Sequence, residues 1–329
     1  MSKLFSLILI FILSLVLLSG CVSENEGNEK SKFRIGNVTW VGFAPLYLAE
    51  EKGFFDEQGI DIEIEMIEDS ALRRAALASK RVDAIVDAVD VLVIERAQGI
   101  KGKAVTVLDL SAGGDGIITV DSINSVQDFK GKEIAVQIDT PSESMLLYLL
   151  KKNGLTANDV KILPMEAGAA GAAFVSGQVD IAVTWEPWLS KASERGNGKV
   201  FVSTREEKGL IVDLLTVHED VLSSRPEDVK KVLRAWFKAI DFWKKNPAEA
   251  NEIMAKYYDL PSEEFAEIIS GVEWLSLSET REFFGNDLSE SKVADVAETF
   301  SDIFLEAEKI DRPVSAGELF ELDLLFGLE

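Results

Sequence analysis

The stretch FRIGNVTWVGFAPLYLAEEKGFF, residues 33–55, decides the fold, because it encodes a strand, a loop and a short helix in immediate succession. Its first residues are β-formers without helical spacing. Pro45 stands where a first helical residue would, and Gly53 where a left-handed C-terminal cap would, which predicts a helix of about two turns. Such a strand–loop–helix unit leaves free backbone N–H groups at a sheet edge, where open α/β folds bind ligands. Trp40 and Phe43 stand at that edge, either as ligand contacts or as buried core aromatics.

From residue 60 onward, strand-like segments alternate with helix-like segments, which predicts a parallel sheet. The strand at residues 103–110 runs into a loop that contains Ser111, Gly114 and Asp115. Glycines in such a loop allow the backbone to approach another group closely. The loop is therefore either a plain turn or a cleft loop whose amides and Ser111 contact a ligand.

A second helix start follows the strand predicted before residue 138. Thr140 is a candidate N-cap, Pro141 a candidate first helical residue, and Ser142 and Ser144 lie in the first turn. Ser and Thr are common at any helix start, so capping alone is one interpretation. A ligand contact through the free amides is the other, and it is favoured because two such starts would face one cleft.

The segment Trp185-Glu186-Pro187-Trp188 closes the next predicted strand and is the densest pocket-like group in the chain. Its aromatic rings offer faces for stacking or for a cation, and Glu186 offers an acceptor for an ammonium or amino group. The alternative is a core tryptophan beside a solvated glutamate. By contrast, the amphipathic spacing of residues 226–245 predicts a helix whose Trp236 and Trp243 belong to the core.

The pattern W-x-G-x-x-P-L-Y-L-A-x-E-x-G-F-F at residues 40–55 resembles the opening of the solute-binding proteins of ABC importers for nitrate, sulfonates, taurine and thiamine precursors. The similarity continues at residues 76–84, 128–136 and 177–188. It implies a periplasmic-binding-protein type II fold of the α/β class, in which two lobes, each a mixed sheet flanked by helices, enclose a ligand cleft. We predict lobe 1 at residues 33–116 and 214–329, and lobe 2 at residues 117–213.

The N-terminus has the features of a secretory signal over residues 1–20: Lys3, then an apolar run too short to span a membrane comfortably. Leu18-Ser19-Gly20-Cys21 resembles a bacterial lipobox, which implies that Cys21 carries lipid. An ordinary signal peptide with an incidental cysteine is the alternative. Residues 21–32 are too polar to form a core, and we expect a flexible tether. The protein would thus be held at the extracytoplasmic face of the cell membrane.

Composition excludes several classes of function. Without residues 1–20 the chain has 33 basic and 57 acidic residues, a formal charge of −24, which argues against nucleic-acid binding. A single cysteine allows no disulfide within the chain. His218 is the only histidine and is predicted to be structural, so neither a metal site nor a catalytic triad is expected. No cofactor motif is present, and we expect a monomer.

We predict a lipid-anchored solute-binding protein that delivers a small organic anion or zwitterion, such as a sulfonate or taurine, to an ABC permease and its ATPase. An anionic head would meet the amides at residues 43–46 and 140–144, and an amino tail would meet Glu186 and Asp115 between Trp40, Trp185 and Trp188. The alternatives are an aminopyrimidine ligand, an enzyme similar to pyrimidine synthases, and an anchored sensor.

Overall fold

The strand and helix predicted at the opening are both present in a computed structural model, which describes Lys32–Glu329. Strand β1 (Lys32–Asn37) leads through a 3-10 turn at Val41–Phe43 into helix α1 (Ala44–Glu51). Pro45 lies in the first turn of α1, and Gly53 has φ of 69°, as predicted for a left-handed cap. The predicted signal peptide, Cys21 and all but the last residue of the tether lie outside the described residues.

The first sheet has six strands in the order β11-β4-β10-β3-β1-β2. Strands β1, β2 and β3 are parallel and are joined by helices, whereas β10 pairs antiparallel with both β3 and β4. Besides β1, it contains β2 (Asp61–Met66), β3 (Ala84–Ala88), β4 (Gly102–Ser111), β10 (Val212–His218) and β11 (Val272–Trp274).

The second sheet has five strands in the order β7-β6-β8-β5-β9 and is built from the middle of the chain. Strands β6, β7 and β8 are parallel, and β5 is antiparallel to both of its neighbours. Its strands are β5 (Asp115–Val120), β6 (Glu133–Val136), β7 (Lys161–Pro164), β8 (Ile181–Trp185) and β9 (Gly198–Ser203). We call the part around the first sheet lobe 1 and the part around the second sheet lobe 2.

The helices cover both sheets, as the alternating pattern predicts. The described helices after α1 are α2 (Phe54–Glu57), α3 (Ser70–Ala78), α4 (Val89–Ala97), α5 (Pro141–Lys152), α6 (Ala167–Val175), α7 (Glu219–Ser224), α8 (Pro226–Lys245), α9 (Pro247–Ala255), α10 (Ser262–Ile268), α11 (Leu277–Phe284), α12 (Lys292–Glu306), α13 (Ala316–Leu319) and α14 (Asp323–Phe326). None of these helices is long and apolar enough to cross a membrane.

Each sheet has its own hydrophobic core. The larger core joins lobe 1 to helix α8, whose Trp236 is fully buried, as the amphipathic spacing predicts. Trp243 is partly buried and packs edge-on against Trp274. The smaller core surrounds Phe129 and Phe174 in lobe 2. The larger core also includes Met145 and Leu147 of helix α5, so the two lobes contact each other through apolar side chains as well as through the segments that join them.

Two short segments cross between the lobes and are hydrogen-bonded to one another. The first, residues 112–114, joins β4 to β5, and the second, residues 204–211, joins β9 to β10. Thr204 ties them together, because its Oγ1 lies 2.7 Å from Ser111 Oγ and accepts a hydrogen bond from Gly113 N at 2.8 Å. This pair of linked segments has the form of a hinge.

One predicted element is wrong. The proline at position 261 predicts a single helix over residues 261–275, but helix α10 ends at Ile268 and the chain continues as the edge strand β11, antiparallel to β4. Gly271 permits this pairing because a Cβ there would lie 2.8 Å from Gly114 N. Trp274 then donates from Nε1 to Gly42 O at 2.7 Å. Tertiary contacts therefore override the local helical pattern.

Candidate functional site

The strand ends of the two lobes face each other across two adjacent cavities. The inner cavity, with a volume of about 50 Å³, is lined by lobe 1 residues such as Trp40 and Asp213 and by lobe 2 residues such as Asp115 and Trp185. The outer cavity, of about 480 Å³, is lined from both lobes and shares Trp185 with the inner one. The inner space suits one small charged or polar group, and the outer space suits the body of a small ligand.

Six of the ten predicted binding residues lie on these cavity walls. Trp40, Phe43, Asp115, Thr140 and Trp185 line the inner cavity, and Trp185 and Glu186 line the outer cavity. Sheet register brings two of them together, because Asp115 of β5 is the pairing partner of Trp185 of β8.

The other four predicted residues lie away from the cavity walls. Ser111 and Gly114 belong to the hinge, where a Cβ on Gly114 would lie 2.4 Å from the Trp40 ring. Ser144 donates its hydroxyl to Asp90 Oδ2 at 2.5 Å, and the buried Ser142 hydroxyl has no hydrogen-bond partner. The absence of a side chain at Gly114 therefore allows the backbone of this loop to pack closely against the Trp40 ring.

Trp40 is fixed in place from three directions. Its Nε1 donates to Asp109 Oδ1 at 3.2 Å, and its carbonyl accepts from the Tyr258 hydroxyl at 2.8 Å. Gly42 lies against the indole, since a Cβ there would be 2.2 Å from Trp40 Nε1. Trp40 and Phe43 are buried in the lobe 1 core and also line the cavity, so their burial is as expected and their contact with a ligand stays a prediction.

A cluster of carboxyls lies beneath the inner cavity. Burial raises the pKa of Asp115 to about 7 and that of Asp109 to about 7. Burial, followed by the neighbouring Asp109, raises the pKa of Asp213 well above its ordinary value. Asp109 of β4 and Asp213 of β10 are pairing partners, and this register brings their two carboxyls close together. Burial also raises the pKa of Asp90 to about 6.

A basic side chain of lobe 1, Arg73, also lines the inner wall. Arg73 is buried, and its Nη1 donates to Ile67 O at 2.8 Å. Burial lowers its pKa, and the nearby carboxylates of Asp87 and Glu95 raise it. Asp87 itself accepts from Thr216 Oγ1 at 2.8 Å. Arg73 is thus a cation that already has carboxylate neighbours.

The helix start predicted at Thr140 is present, but its details differ from a simple cap. Helix α5 begins with Pro141 after Thr140, as predicted. Thr140 does not cap the helix through its side chain, because its Oγ1 donates to Gln137 O at 2.8 Å. Glu143 occupies the approach to this helix end by accepting from Asp139 N at 2.7 Å. The site therefore places acids near the amides that were expected to hold an anionic head.

The segment Trp185-Glu186-Pro187-Trp188 forms one wall of the outer cavity. Glu186 accepts from Ser190 N at 3.1 Å and from Ser190 Oγ at 2.9 Å, and burial raises its pKa. The Glu186 carboxylate is thus hydrogen-bonded to the first residue of the 3-10 turn that follows. Trp188 packs on Gly171, where a Cβ would lie 2.5 Å from the tryptophan Cβ.

An ion-pair group joins the lobes at one side of the cleft. Asp139, which follows β6 in lobe 2, lies 3.4 Å from Arg74 Nη2 and 2.9 Å from Lys309 Nζ, both in lobe 1. Lys309 also lies 2.8 Å from Glu143 Oε2 at the start of α5. These contacts exist only while the lobes are close together.

Sequence reasoning missed Glu68, Arg73, Asp87, Gln137 and Asp213 on the inner wall. The missing signal was a single aspartate inside an otherwise apolar strand, as at Asp87 and Asp213. Such an aspartate is costly to bury and marks a functional or structural partner. His218, by contrast, is structural as predicted, because its Nδ1 accepts from Asp220 N at the start of α7.

The sequence is similar to a known protein family and to several binding proteins. The family model described as NMT1/THI5 like matches residues 40–250. A Brucella abortus protein named as a binding protein is 26% identical over 68% of this chain and 70% of its own length. A Bacillus subtilis protein named for aliphatic sulfonate binding is 22% identical over 82% of this chain and 83% of its own.

Solved structures share the fold at low sequence identity. The alkanesulfonate-binding protein of Xanthomonas axonopodis pv. citri, bound to MOPS, has a TM-score of 0.72 and 19% identity, and the match covers 89% of this chain and 99% of that one. A desulfurization enzyme also shares the fold, with a TM-score of 0.61 and 16% identity over 90% and 98% of the two chains. The chain belongs to the NMT1/THI5-like family and has the two-lobed fold of periplasmic binding proteins.

Proposed function

We propose that this protein is the lipid-anchored, extracytoplasmic solute-binding component of an ABC importer. It takes up a small organic solute between its lobes, with the sulfonate and taurine class and the aminopyrimidines as the first ligands to test. Cys21 carries the lipid, residues 21–32 tether the folded body, and a permease with its ATPase receives the solute.

The proposal rests on a cavity that is lined by residues from both lobes. Asp115 and Trp185 from lobe 2 and Trp40 and Asp213 from lobe 1 line the same small cavity between two sheets that have separate cores. A site whose walls come from two bodies joined by a short hinge is completed only when those bodies close on a ligand. Closure changes the outer surface, which is how a permease can distinguish loaded from empty protein.

The interlobe ion pairs fit this mode of action. The Asp139 carboxylate stands between Arg74 and Lys309 across the cleft. Partly exposed pairs of this kind contribute about 0–1 kcal/mol each, so they favour closure without preventing release. A ligand that contacts both lobes would add to that small bias.

The alternative of an enzyme similar to pyrimidine synthases has little support in the site. The only histidine, His218, caps helix α7 and lines neither cavity. No group of three or more potential ligands among Lys32–Glu329 is arranged to hold a metal ion. The curated relatives named above are described as binding proteins. An anchored sensor would use the same cleft, and uptake assays separate it from an importer component.

A thermal-shift screen of the body, residues 33–329, tests the proposal. The panel contains sulfonates, taurine, nitrate, aminopyrimidines and amino acids. A ligand at 100 times its dissociation constant stabilises the fold by about 2.7 kcal/mol. Loss of uptake of that ligand on deletion of the gene would support the importer function. A body that binds none of these classes would overturn the proposal.

Trp185→Ala checks that the cleft is the binding site. The ring stands at the junction of the two cavities, and loss of its face should weaken binding of the best ligand about tenfold, or about 1.4 kcal/mol. Phe326→Ala is the matched control, because Phe326 is an exposed aromatic residue in α14. Equal affinities for wild type and Trp185→Ala would remove this wall from the site.

A further inference from the structure

The carboxyls under the inner cavity lack a cationic partner of their own. No lysine or arginine nitrogen within Lys32–Glu329 forms an ion pair with Asp115, Asp109 or Asp213. Arg205, on the second crossing segment, is exposed and forms no such pair either. A buried carboxylate without a partner is expensive, so these groups either stay protonated or receive a cation from outside.

The charges on the inner wall do not cancel. Arg73 is the only basic residue that lines the cavity among the described residues, and Asp87 and Glu95 already neighbour it. Asp115 is 95% buried and lines the cavity, and Ser111 is a hydrogen-bond partner of its carboxyl. Four acidic side chains line the cavity, and two of them, Asp115 from lobe 2 and Asp213 from lobe 1, form no ion pair with a described lysine or arginine.

The aromatic surroundings favour the same charge. The rings of Trp40 and Trp185 line the inner cavity, and aromatic faces attract cations through their quadrupoles. A volume of about 50 Å³ accommodates an ammonium or amidinium group but not the rest of a molecule, which would extend into the outer cavity. The carboxyl cluster does not have the geometry of a metal site.

We propose that the group entering the inner cavity is a protonated amine or amidinium, which ion-pairs with Asp115 between Trp40 and Trp185. The inference rests on the proposed solute-binding function and specifies its ligand. Taurine and protonated aminopyrimidines qualify, whereas nitrate and sulfonates without an amine do not. Binding places the ligand's positive charge beside Asp115, and the carboxyl releases its proton to the buffer.

Proton exchange on binding distinguishes a cationic ligand from an anionic one, because a cation causes proton release and an anion causes proton uptake. The titratable groups that face Asp115 are all carboxyls, namely those of Asp90, Asp109, Asp213 and Glu186. Because burial raises the pKa of Asp115 to about 7, cation affinity should be about tenfold weaker at pH 6 than at pH 8. An anion bound by protonated carboxyls would instead take up protons and bind more weakly as the pH rises.

Calorimetry on the body compares three probes: taurine, isethionate, which has a hydroxyl in place of the amine, and putrescine, which is a cation without a sulfonate. Titrations at pH 6 and pH 8, in buffers of different ionisation enthalpy, measure affinity and proton release together. We expect taurine or putrescine to bind with release of protons and isethionate to bind at least tenfold more weakly than taurine.

Asp115→Asn keeps the shape of the carboxyl and should weaken binding of the amine about 10- to 150-fold, the range for a hydrogen bond to a charged group. It should also abolish proton release, which a merely structural defect would not do selectively. Asp115→Glu should retain part of the affinity. Asp302→Asn, an exposed position on α12, is the matched control.

Binding of isethionate as tight as that of taurine, or proton uptake on binding, would overturn the cationic assignment while leaving the solute-binding function intact. Failure of both amines to bind would overturn the assignment as well. Failure of every class in the thermal-shift screen would overturn the solute-binding function itself.

Discussion

Asp115→Asn should make the empty protein more stable, and the gain should depend on pH. Asp115 is buried beside other carboxyls, and burial raises its pKa from 3.8 to about 7. An acid whose pKa is raised by folding binds more protons in the folded state between these two values. The stability that the protonated Asp115 carboxyl contributes is therefore lost as the pH rises from about 4 to about 7.

The size of the stability gain follows from the difference between the two pKa values of Asp115, in the unfolded and the folded protein. About three pH units correspond to about 4 kcal/mol, at 1.36 kcal/mol per unit, and this is an upper limit because the surroundings relax. We expect Asp115→Asn to raise the free energy of unfolding by about 2–4 kcal/mol at pH 8.5 and by at most about 1 kcal/mol at pH 4.5. For a domain of this size the melting temperature would rise by about 4–8 °C at pH 8.5.

Urea denaturation at the two pH values, followed by circular dichroism, measures this difference. Asp302→Asn removes an exposed carboxylate and should change the free energy of unfolding by less than about 0.5 kcal/mol at either pH. A stability gain that is the same at pH 4.5 and pH 8.5, or a loss at pH 8.5, would refute the argument that Asp115 is an uncompensated buried acid.

Three further predictions concern the ion pairs of Asp139, the packing around Gly42 and the lipid anchor. Asp139→Asn removes the ion pairs to Arg74 and Lys309, and asparagine tolerates the left-handed φ of 54° at this position. The empty body should then show a larger radius of gyration in X-ray scattering, and an unchanged radius would count against a role of these ion pairs in holding the lobes together. Gly42→Ala places a Cβ 2.3 Å from Asp109 Oδ2 and should cost about 1–3 kcal/mol of stability, as measured by urea denaturation. Gly317→Ala, in open space within helix α13, should instead leave stability unchanged or raise it by up to about 1 kcal/mol. Cys21→Ser should abolish incorporation of labelled lipid, and a labelled mutant would disprove the anchor.

Local sequence patterns were sufficient for much of the fold. The proline and glycine that bound helix α1, and the amphipathic spacing of α8, are properties of neighbouring residues, and both elements have the predicted positions. The strand β11 was missed because its pairing with β4 depends on Gly271 and Gly114, which are far apart in the chain. The domain boundaries assigned from the sequence stay predictions.

The candidate site was only partly predictable for the same reason. Trp40, Trp185 and Asp115 stand at strand ends that can be recognised locally, and they do meet at the inner cavity. Asp213 and Asp109 become neighbours only through the antiparallel register of β10 and β4, which no local pattern encodes. The acidic character of the inner wall, and with it the preference for an amine, therefore emerges from the sheet pairing.

The most direct test of the central claim is a crystal structure of the body with the strongest ligand from the screen. We predict electron density between the two sheets, with the ligand's nitrogen about 2.7–3.2 Å from the Asp115 carboxylate and its ring or chain against Trp40 and Trp185. Density for the ligand at any site outside the two interlobe cavities, with the cleft unoccupied, would contradict the account.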